Sequence, residues 1–386
     1  MLLNLQRWLS RHEPVSFRTM TGSPGALSSE FALLGKVDSL EPGDAFYRAM
    51  RRLDLHRLLR SRHLARLQDD LSDERFAVIF VNSIASGRLL EQLPIGDGEV
   101  LCHVHELGGS IRAVGLENLA ALERRRSRYI AVSNAVKECL VKEFDLAPER
   151  IEVIDPFIPE VEVDSLDAER VRRNLARDLG ISPDARIVCG CGSIEARKGV
   201  DLFVDVARRV ASDPDGRHVQ FVWVGGAPDK VEAMRRHVEA EGLASRVRFV
   251  GRKADVDTYF AASDLFLLTS REEAFGLVVL EAARRETPTI CFHASDAARR
   301  FVEPDAGFSV ANFDVEKMSN RVVQLLSCPP LRDQMGRAAK RKFEARHTPQ
   351  QGARMIASRI REAVGRGSGA ASTEAPPTSV RAIEVE

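Results

Sequence analysis

From residue 186 onward, short and continuously apolar runs alternate with longer stretches whose apolar positions recur at helical spacing. ARIVCGCGS is a β-branched run ending in glycines. GVDLFVDVARRVA follows it, with Val200, Phe203, Val204, Ala207 and Val210 on one helical face. HVQFVWVGG predicts a strand, KVEAMRRHVEAEG a helix, RVRFVG a short strand, DVDTYFAAS a short helix and DLFLLTS another strand. Glu273 to Arg285 reads as a helix, and TPTICF reads as a strand. Strands that are apolar throughout, separated by amphipathic helices, indicate a parallel sheet covered on both faces.

The N-terminal half repeats this grammar less cleanly. VSFRTM, RFAVIFVNS, EVLCHVHE and RYIAVS predict strands, while AVKECLVKEFD and the segment from Arg48 to Leu67 predict helices. ERIEVIDPFIPEVEV, near residues 150 to 164, has the proline-interrupted look of a linker. The fold class is therefore α/β, with two Rossmann-like doubly wound domains facing a cleft. The expected boundaries are 1–156 for the N-terminal domain, 157–345 for the C-terminal domain and 346–365 for a closing helix. Residues 366–386 are expected to be a disordered tail, because GRGSGAASTEAPPTSV cannot bury enough apolar surface to order itself.

Composition narrows the function classes. A chain of 386 residues has room for two domains, and 44% hydrophobic with 29% charged residues is ordinary for a soluble globular protein. Lys+Arg and Asp+Glu both number 56, so net charge favours neither nucleic acid nor an acidic partner. No apolar run reaches the roughly 18 residues a membrane-spanning helix needs. MLLNLQRWLSRHE has no basic leader, long apolar run or small-residue cleavage site, and so does not read as a secretory signal. Of six cysteines only Cys189 and Cys191 are close together, and no second Cys/His pair has zinc spacing. They read as reduced packing residues of a cytoplasmic protein.

Ligands of doubly wound sheets bind beyond the carboxyl ends of the strands. Three segments occupy that position. Gly190-Cys191-Gly192-Ser193 leads to Arg197-Lys198-Gly199, where glycines admit a ligand to the backbone and two cations sit beside a helix start that can take an anion. A solvated basic helix start explains that segment equally well. Gly225-Gly226-Ala227, taken alone, is a tight turn. Ser270 to Glu281, SREEAFGLVVLE, places Glu273 and Glu281 eight positions apart, about two helical turns and roughly on one side. Two carboxylates so aligned could accept hydrogen bonds from sugar hydroxyls. The Phe-Gly inside the spacing, and the buried strand before it, weigh against an unrelated pair of surface acids.

The combination E-x-F-G-x-x-x-x-E after a strand, preceded by G-x-G-x-x-x-x-R-K-G, resembles the retaining glycosyltransferases of family 4, of the bacterial type. FVWVGG, RVRFVG, YFAASDLFLLTSREEAFGLVVLEAA and AGFSV stand in the family's order, and the likeness runs from about Leu2 to Val364. It implies the two-domain GT-B architecture and transfer of a sugar from a nucleoside diphosphate sugar to a hydroxyl acceptor. It also implies roles for particular residues. Arg197 and Lys198 would neutralise the donor diphosphate, with Gly192 and Ser193 in the same loop. Glu273 would bind sugar hydroxyls, and backbone N–H groups at Phe275, Gly276 and Leu277 would face phosphate and sugar. Glu281 would hold the ribose hydroxyls. His105 would approach the donor sugar from the N-terminal domain, and Asn82 and Glu106 would face the acceptor. Ser193 stands where many relatives carry an arginine, and His293 to Ala297 stand where relatives have a Gly-Gly turn.

No Asp-x-Asp motif lies near the donor loops, so no metal and no cofactor beyond the nucleotide sugar are expected. Two rivals are a sugar-nucleotide epimerase of the same architecture, against which the E-x7-E segment argues, and a catalytically silent sugar-nucleotide-binding protein. The expected partners are the nucleotide sugar and a glycan or lipid-linked acceptor, in cell-surface polysaccharide or glycolipid synthesis. Residues 47–67 carry Arg48, Arg51, Arg52, Arg57, Arg60, Arg62 and Arg66 against Asp54, with Leu53, Leu55, Leu58, Leu59 and Leu64 interleaved. Two readings stand for this stretch: a solvated helix packed on its own domain, or a helix lying on the anionic inner face of the membrane. Finally, relatives begin with a strand and a glycine loop, and a helix follows. Here LLNLQRWLSRH already looks like that helix, so the first strand of the N-terminal domain is expected to be absent before Met1.

Overall fold

The computed structural model describes residues 1–53, 55–159, 168–368 and 380–385. Six strands come before residue 157: β1 (Val15–Thr21), β2 (Gly35–Ser39), β3 (Val78–Val81), β4 (Glu99–Val104), β5 (Arg128–Ala131) and β6 (Ile151–Val153). Six follow: β7 (Arg186–Cys191), β8 (Val219–Val224), β9 (Val247–Gly251), β10 (Leu265–Leu268), β11 (Thr289–Phe292) and β12 (Gly307–Val310). The last, β13 (Val380–Val385), lies near the C-terminus.

The chain divides into two units, Met1–Pro156 with Pro349–Glu386, and Phe157–Thr348. Each holds one parallel sheet. The second unit has the order β12-β11-β10-β7-β8-β9, and the first has β2-β1-β13-β3-β4-β5-β6. Read from the other edge, the second order is the doubly wound pattern 3-2-1-4-5-6, in which the strand order, not the strand direction, reverses once, here between β7 and β10.

Burial follows the apolar pattern of the sequence. On helix Val200–Ser212, the residues Val200, Phe203, Val204, Ala207 and Val210 are all buried. Phe203 packs edge-on against Phe221 and Trp223, with ring centroids 5.5 and 5.2 Å away. Gly190 is small for this reason: a Cβ there would lie 2.6 Å from the Trp223 ring and 2.7 Å from Phe203. In the first unit, helix Leu2–His12 buries Leu2, Leu5 and Leu9, and its Gln6 donates to Thr19 Oγ1 on β1 at 2.9 Å.

Four expectations need correction. The single helix from Arg48 to Leu67 is two helices, Ala45–Arg52 and Arg57–Ser72; the first closes where the Leu55 N–H bonds back to Met50 O. The linker reading holds only in part, because Ile151–Val153 pairs with β5 as an edge strand, while residues 160–167 lie outside the described residues. The closing helix is Pro349–Ser368, not 346–365. It belongs with the first unit, packing on helix Leu2–His12, β3 and β4.

The fourth correction concerns the tail. Residues 369–379 and 386 are outside the described residues, yet Val380–Val385 is a strand where 366–386 was expected to be disordered. It fills the place expected to lack its first strand, pairing in parallel with β1 and β3. Beyond the Gly/Ser/Pro run, VRAIEV has the β-branched composition of a strand and supplies partners for backbone groups that β1 and β3 would otherwise leave unpaired.

Candidate functional site

In the second unit, the loops after β7 and β10 meet where the strand order reverses. Backbone and side-chain bonds join them. Arg271 N–H donates to Arg197 O at 2.7 Å, Thr269 Oγ1 to Lys198 O at 3.1 Å, and Arg197 Nη1 to Glu272 O at 3.3 Å. Gly199 makes this approach possible. Its φ is +62°, and a Cβ there would lie 2.0 Å from Thr269 O. Arg271 adds an ion pair to Asp201 at 2.5 Å, tying the second loop to the helix that follows the first.

At the centre, Lys198 Nζ donates to Glu273 Oε2 at 2.5 Å, and Ser270 Oγ donates to the same oxygen at 3.1 Å. Glu273 is 8% exposed, buried in the loop and not aligned on the helix as expected. Gly276 takes φ +83° and caps a helix that runs only over Leu277–Arg284. Glu273 and Glu281 therefore do not share a helical face. The backbone turns at Gly276 before the helix begins, so Glu273 stays in the loop while Glu281 is on the helix. No side chain caps that helix, so its first N–H groups are open to an anion.

Glu281 lies one turn into this helix, with burial raising its pKa against the lowering effect of Arg284. The Cys191 thiol at the end of β7 is pushed up to about 12 by burial and by the Glu281 charge, which puts Glu281 beside the first loop. Gly192, at φ +148°, lies against the Lys198 stem: a Cβ on it would meet Lys198 Cδ at 3.4 Å. From below, Trp223 Nε1 donates to Gly192 O at 3.1 Å. Arg197, Lys198, Gly192, Ser193, Glu273, Phe275, Gly276, Leu277 and Glu281 thus all belong to this one pair of loops and the helix start.

His105, Asn82 and Glu106 belong to the first unit, at the carboxyl ends of β3 and β4. His105 Nε2 and Asn82 Oδ1 are 3.4 Å apart. Glu106 accepts from the backbone N–H of its neighbour His105 at 2.9 Å and from Ser83 Oγ, and burial pushes its pKa up despite these bonds. Burial lowers His105 to about 3, so its imidazole is neutral at pH 7. Behind it lies His103, whose ring centroid is 4.3 Å from that of His105.

Ser270 and Ser83, each holding a carboxylate, were not singled out from sequence. Ser270 stood inside the SREEAFG segment, and Ser83 accepts from the N–H of Ala85 as a helix-start residue. Neither signal by itself separates a carboxylate holder from a cap.

Residues 171–342 match the family described as "Glycosyl transferases group 1". D-inositol 3-phosphate glycosyltransferase of Corynebacterium diphtheriae is 28% identical over 218 residues, which is 54% of this chain and 51% of that protein. The lipopolysaccharide glucosyltransferase WaaG of Escherichia coli is 29% identical over 195 residues, 50% of each chain. The chain spans about half the length of the curated relatives it matches. Among solved structures, Anabaena HepE in complex with UDP and glucose superimposes with a TM-score of 0.69 at 18% identity, covering 90% of this chain and 99% of that one. The WaaG crystal structure gives 0.64 at 19% identity, covering 95% of each. At such identities these likenesses concern the fold, which is the GT-B type built from two Rossmann-like sheets. The Arg197-Lys198 loop and the Glu273–Glu281 segment both fall inside the residues that match this family.

Proposed function

We propose that the protein is a retaining glycosyltransferase, moving a sugar from a nucleoside diphosphate sugar to a hydroxyl of a glycan or lipid-linked acceptor in cell-surface polysaccharide or glycolipid synthesis. The observation that carries this reading is the Lys198–Glu273 pair beside the uncapped helix start at Leu277. The hard part of the reaction is departure of the nucleotide, because negative charge grows on its diphosphate. Arg197, Lys198 and the helix N–H groups are fixed donors at the place where that charge would develop, and such preorganised stabilisation is commonly the largest catalytic contribution. Glu273 and Glu281 would accept from sugar and ribose hydroxyls. Retention of configuration rests on the family-4 resemblance.

Asn82, Glu106 and the neutral His105 form the acceptor side of this reading. The relatives' names support a glycoconjugate product: one acts on D-inositol 3-phosphate and another on lipopolysaccharide. Among the described residues no helix is long and apolar enough to cross a membrane. We place the protein in the cytoplasm, touching the inner face of the membrane through residues 47–67. There Leu53, Leu55 and Leu58 are 60–67% exposed beside Arg51, Arg52, Arg57 and Arg62, and Phe46 just before the segment is exposed as well.

The test is a panel of nucleoside diphosphate sugars, scored for thermal stabilisation and for release of free nucleotide with acceptor extracts. Stabilisation with nucleotide release supports a transferase. Stabilisation with no release under any acceptor would make the protein a silent binder. Because Arg197 and Lys198 take the place of a metal in this reading, transfer should survive exhaustive chelation. A reaction stopped by EDTA and restored by Mg²⁺ or Mn²⁺ would refute the metal-free mechanism.

A further inference from the structure

The first unit's order, β2-β1-β13-β3-β4-β5-β6, puts Val380–Val385 where a doubly wound sheet reverses, the position that β7 holds beside β10 in the second unit. The segment pairs on one side from Val15↔Val380 to Met20↔Val385 and on the other from Ala382↔Val78 to Val385↔Val81. The flanking strands belong to the core: Thr19, Met20 and all of Val78–Val81 are buried. Without an occupant, β1 and β3 would face each other across about two strand spacings, roughly 9–10 Å. Their ladder groups would then be unpaired in the middle of a hydrophobic layer, where backbone N–H and C=O groups nearly always have partners.

The occupant comes from the far end of the chain. Helix Pro349–Ser368 packs on β3 and β4, and residues 369–379 lead from it to β13. A tether of this length holds a ligand at about millimolar effective concentration when it can span the distance.

The reversal point is also where the chemistry of this unit lies. β3 runs directly into Asn82 and Ser83. Ser83 holds Glu106, and Glu106 holds the backbone N–H of His105. We propose that the gap between β1 and β3 is a strand-binding site whose ligand is the chain's own segment 380–385, and that its occupancy orders the Asn82–Ser83 and His105–Glu106 edge. The functional weight of this inference rests on the reading of that edge as the acceptor side.

Hydrogen exchange followed by mass spectrometry tests it on the whole chain, on Ala382→Pro and on a chain ending at Ser379. A proline removes one ladder donor from a strand paired on both sides. In both variants, exchange across residues 15–21 and 78–83 should speed up by at least about tenfold, which loss of one or two net strand hydrogen bonds would give. β7 and β10 should be unchanged. A synthetic peptide of sequence VRAIEV should restore protection to the shortened chain at millimolar concentration. Unchanged exchange at β1 and β3 in both variants overturns the proposal. So does a wild-type dimer that Ala382→Pro turns into a monomer, because the strand would then come from a second copy. Nucleotide binding and transfer are followed in the same samples. Faster exchange with transfer intact would count against the acceptor reading and leave the strand site standing.

Discussion

Lys198 and Glu273 hold each other at 2.5 Å while only 15% and 10% exposed, and this decides what their removal does. Truncating one partner leaves the other as a largely desolvated charge, so Lys198→Ala and Glu273→Ala should each lower stability by about 1–3 kcal/mol. Each should also lower kcat by about 10²–10³, the usual cost of losing one electrostatic contact to the transition state. Replacing both should restore part of the stability and none of the activity. Steady-state kinetics and urea midpoints check this, and near-normal turnover in either single variant would sink the site assignment. His103 is a second residue whose surroundings dictate behaviour. Neither of its ring nitrogens has a hydrogen-bond partner among the described residues, and burial first, then its interaction with the neighbouring His105, holds its pKa well below the ordinary value. The unfolded histidine titrates near about 6.5. Above that pH both states are neutral and the native state keeps its full stability. As pH falls below it, the unfolded chain takes up a proton that the native chain does not, and stability is lost progressively. Denaturant midpoints measured between pH 7.5 and 5 should fall, and His103→Phe should flatten the slope. An unchanged slope would mean that other groups govern it.

At the scale of elements, the second unit was legible because its strands are apolar throughout and its helices keep a clean period. The first unit was harder to read. Gly35–Ser39 forms β2 with Val37 as its one apolar residue among Gly35, Lys36, Asp38 and Ser39, and its place is set by pairing with β1. The residues of the candidate site were legible by motif, but their geometry was not. Gly276 turns the backbone left-handed, so helical spacing does not relate Glu273 to Glu281. Nor could sequence separate one helix from two between residues 45 and 72, where leucines and arginines recur without a break. The two-helix arrangement leaves Leu53, Leu55 and Leu58 exposed around the join. An exposed apolar join flanked by arginines suits the headgroup layer, where each basic residue contributes about 1 kcal/mol. The protein should co-sediment with anionic vesicles at low salt, and Leu55→Glu with Leu58→Glu should abolish this without moving the melting temperature. Failure of the wild type to co-sediment would remove the membrane contact.

The whole molecule is one strand plan used twice, once with all its strands contiguous in sequence and once completed by β13. Lys198 and Glu273 lie in Phe157–Thr348 and His103 and His105 in the other unit, so under the proposed function a nucleotide should stabilise the two unequally. A ligand at 100 times its Kd adds about 2.7 kcal/mol to whatever unfolds with it. Exchange protection from nucleoside diphosphate alone should therefore rise in β7 and β10 and stay unchanged in β4 and β5. An equal rise in both would show that the units unfold as one. The indole below the Gly192 loop has a further use. The chain has two tryptophans: Trp8, stacked on His12 at 4.3 Å in the first unit, and Trp223, whose N–H bonds the carbonyl of Gly192. Each unit contains one tryptophan. Replacing Trp8 by phenylalanine would leave the emission of Trp223 as an unlabelled optical signal for any ligand that shifts the Gly192 loop.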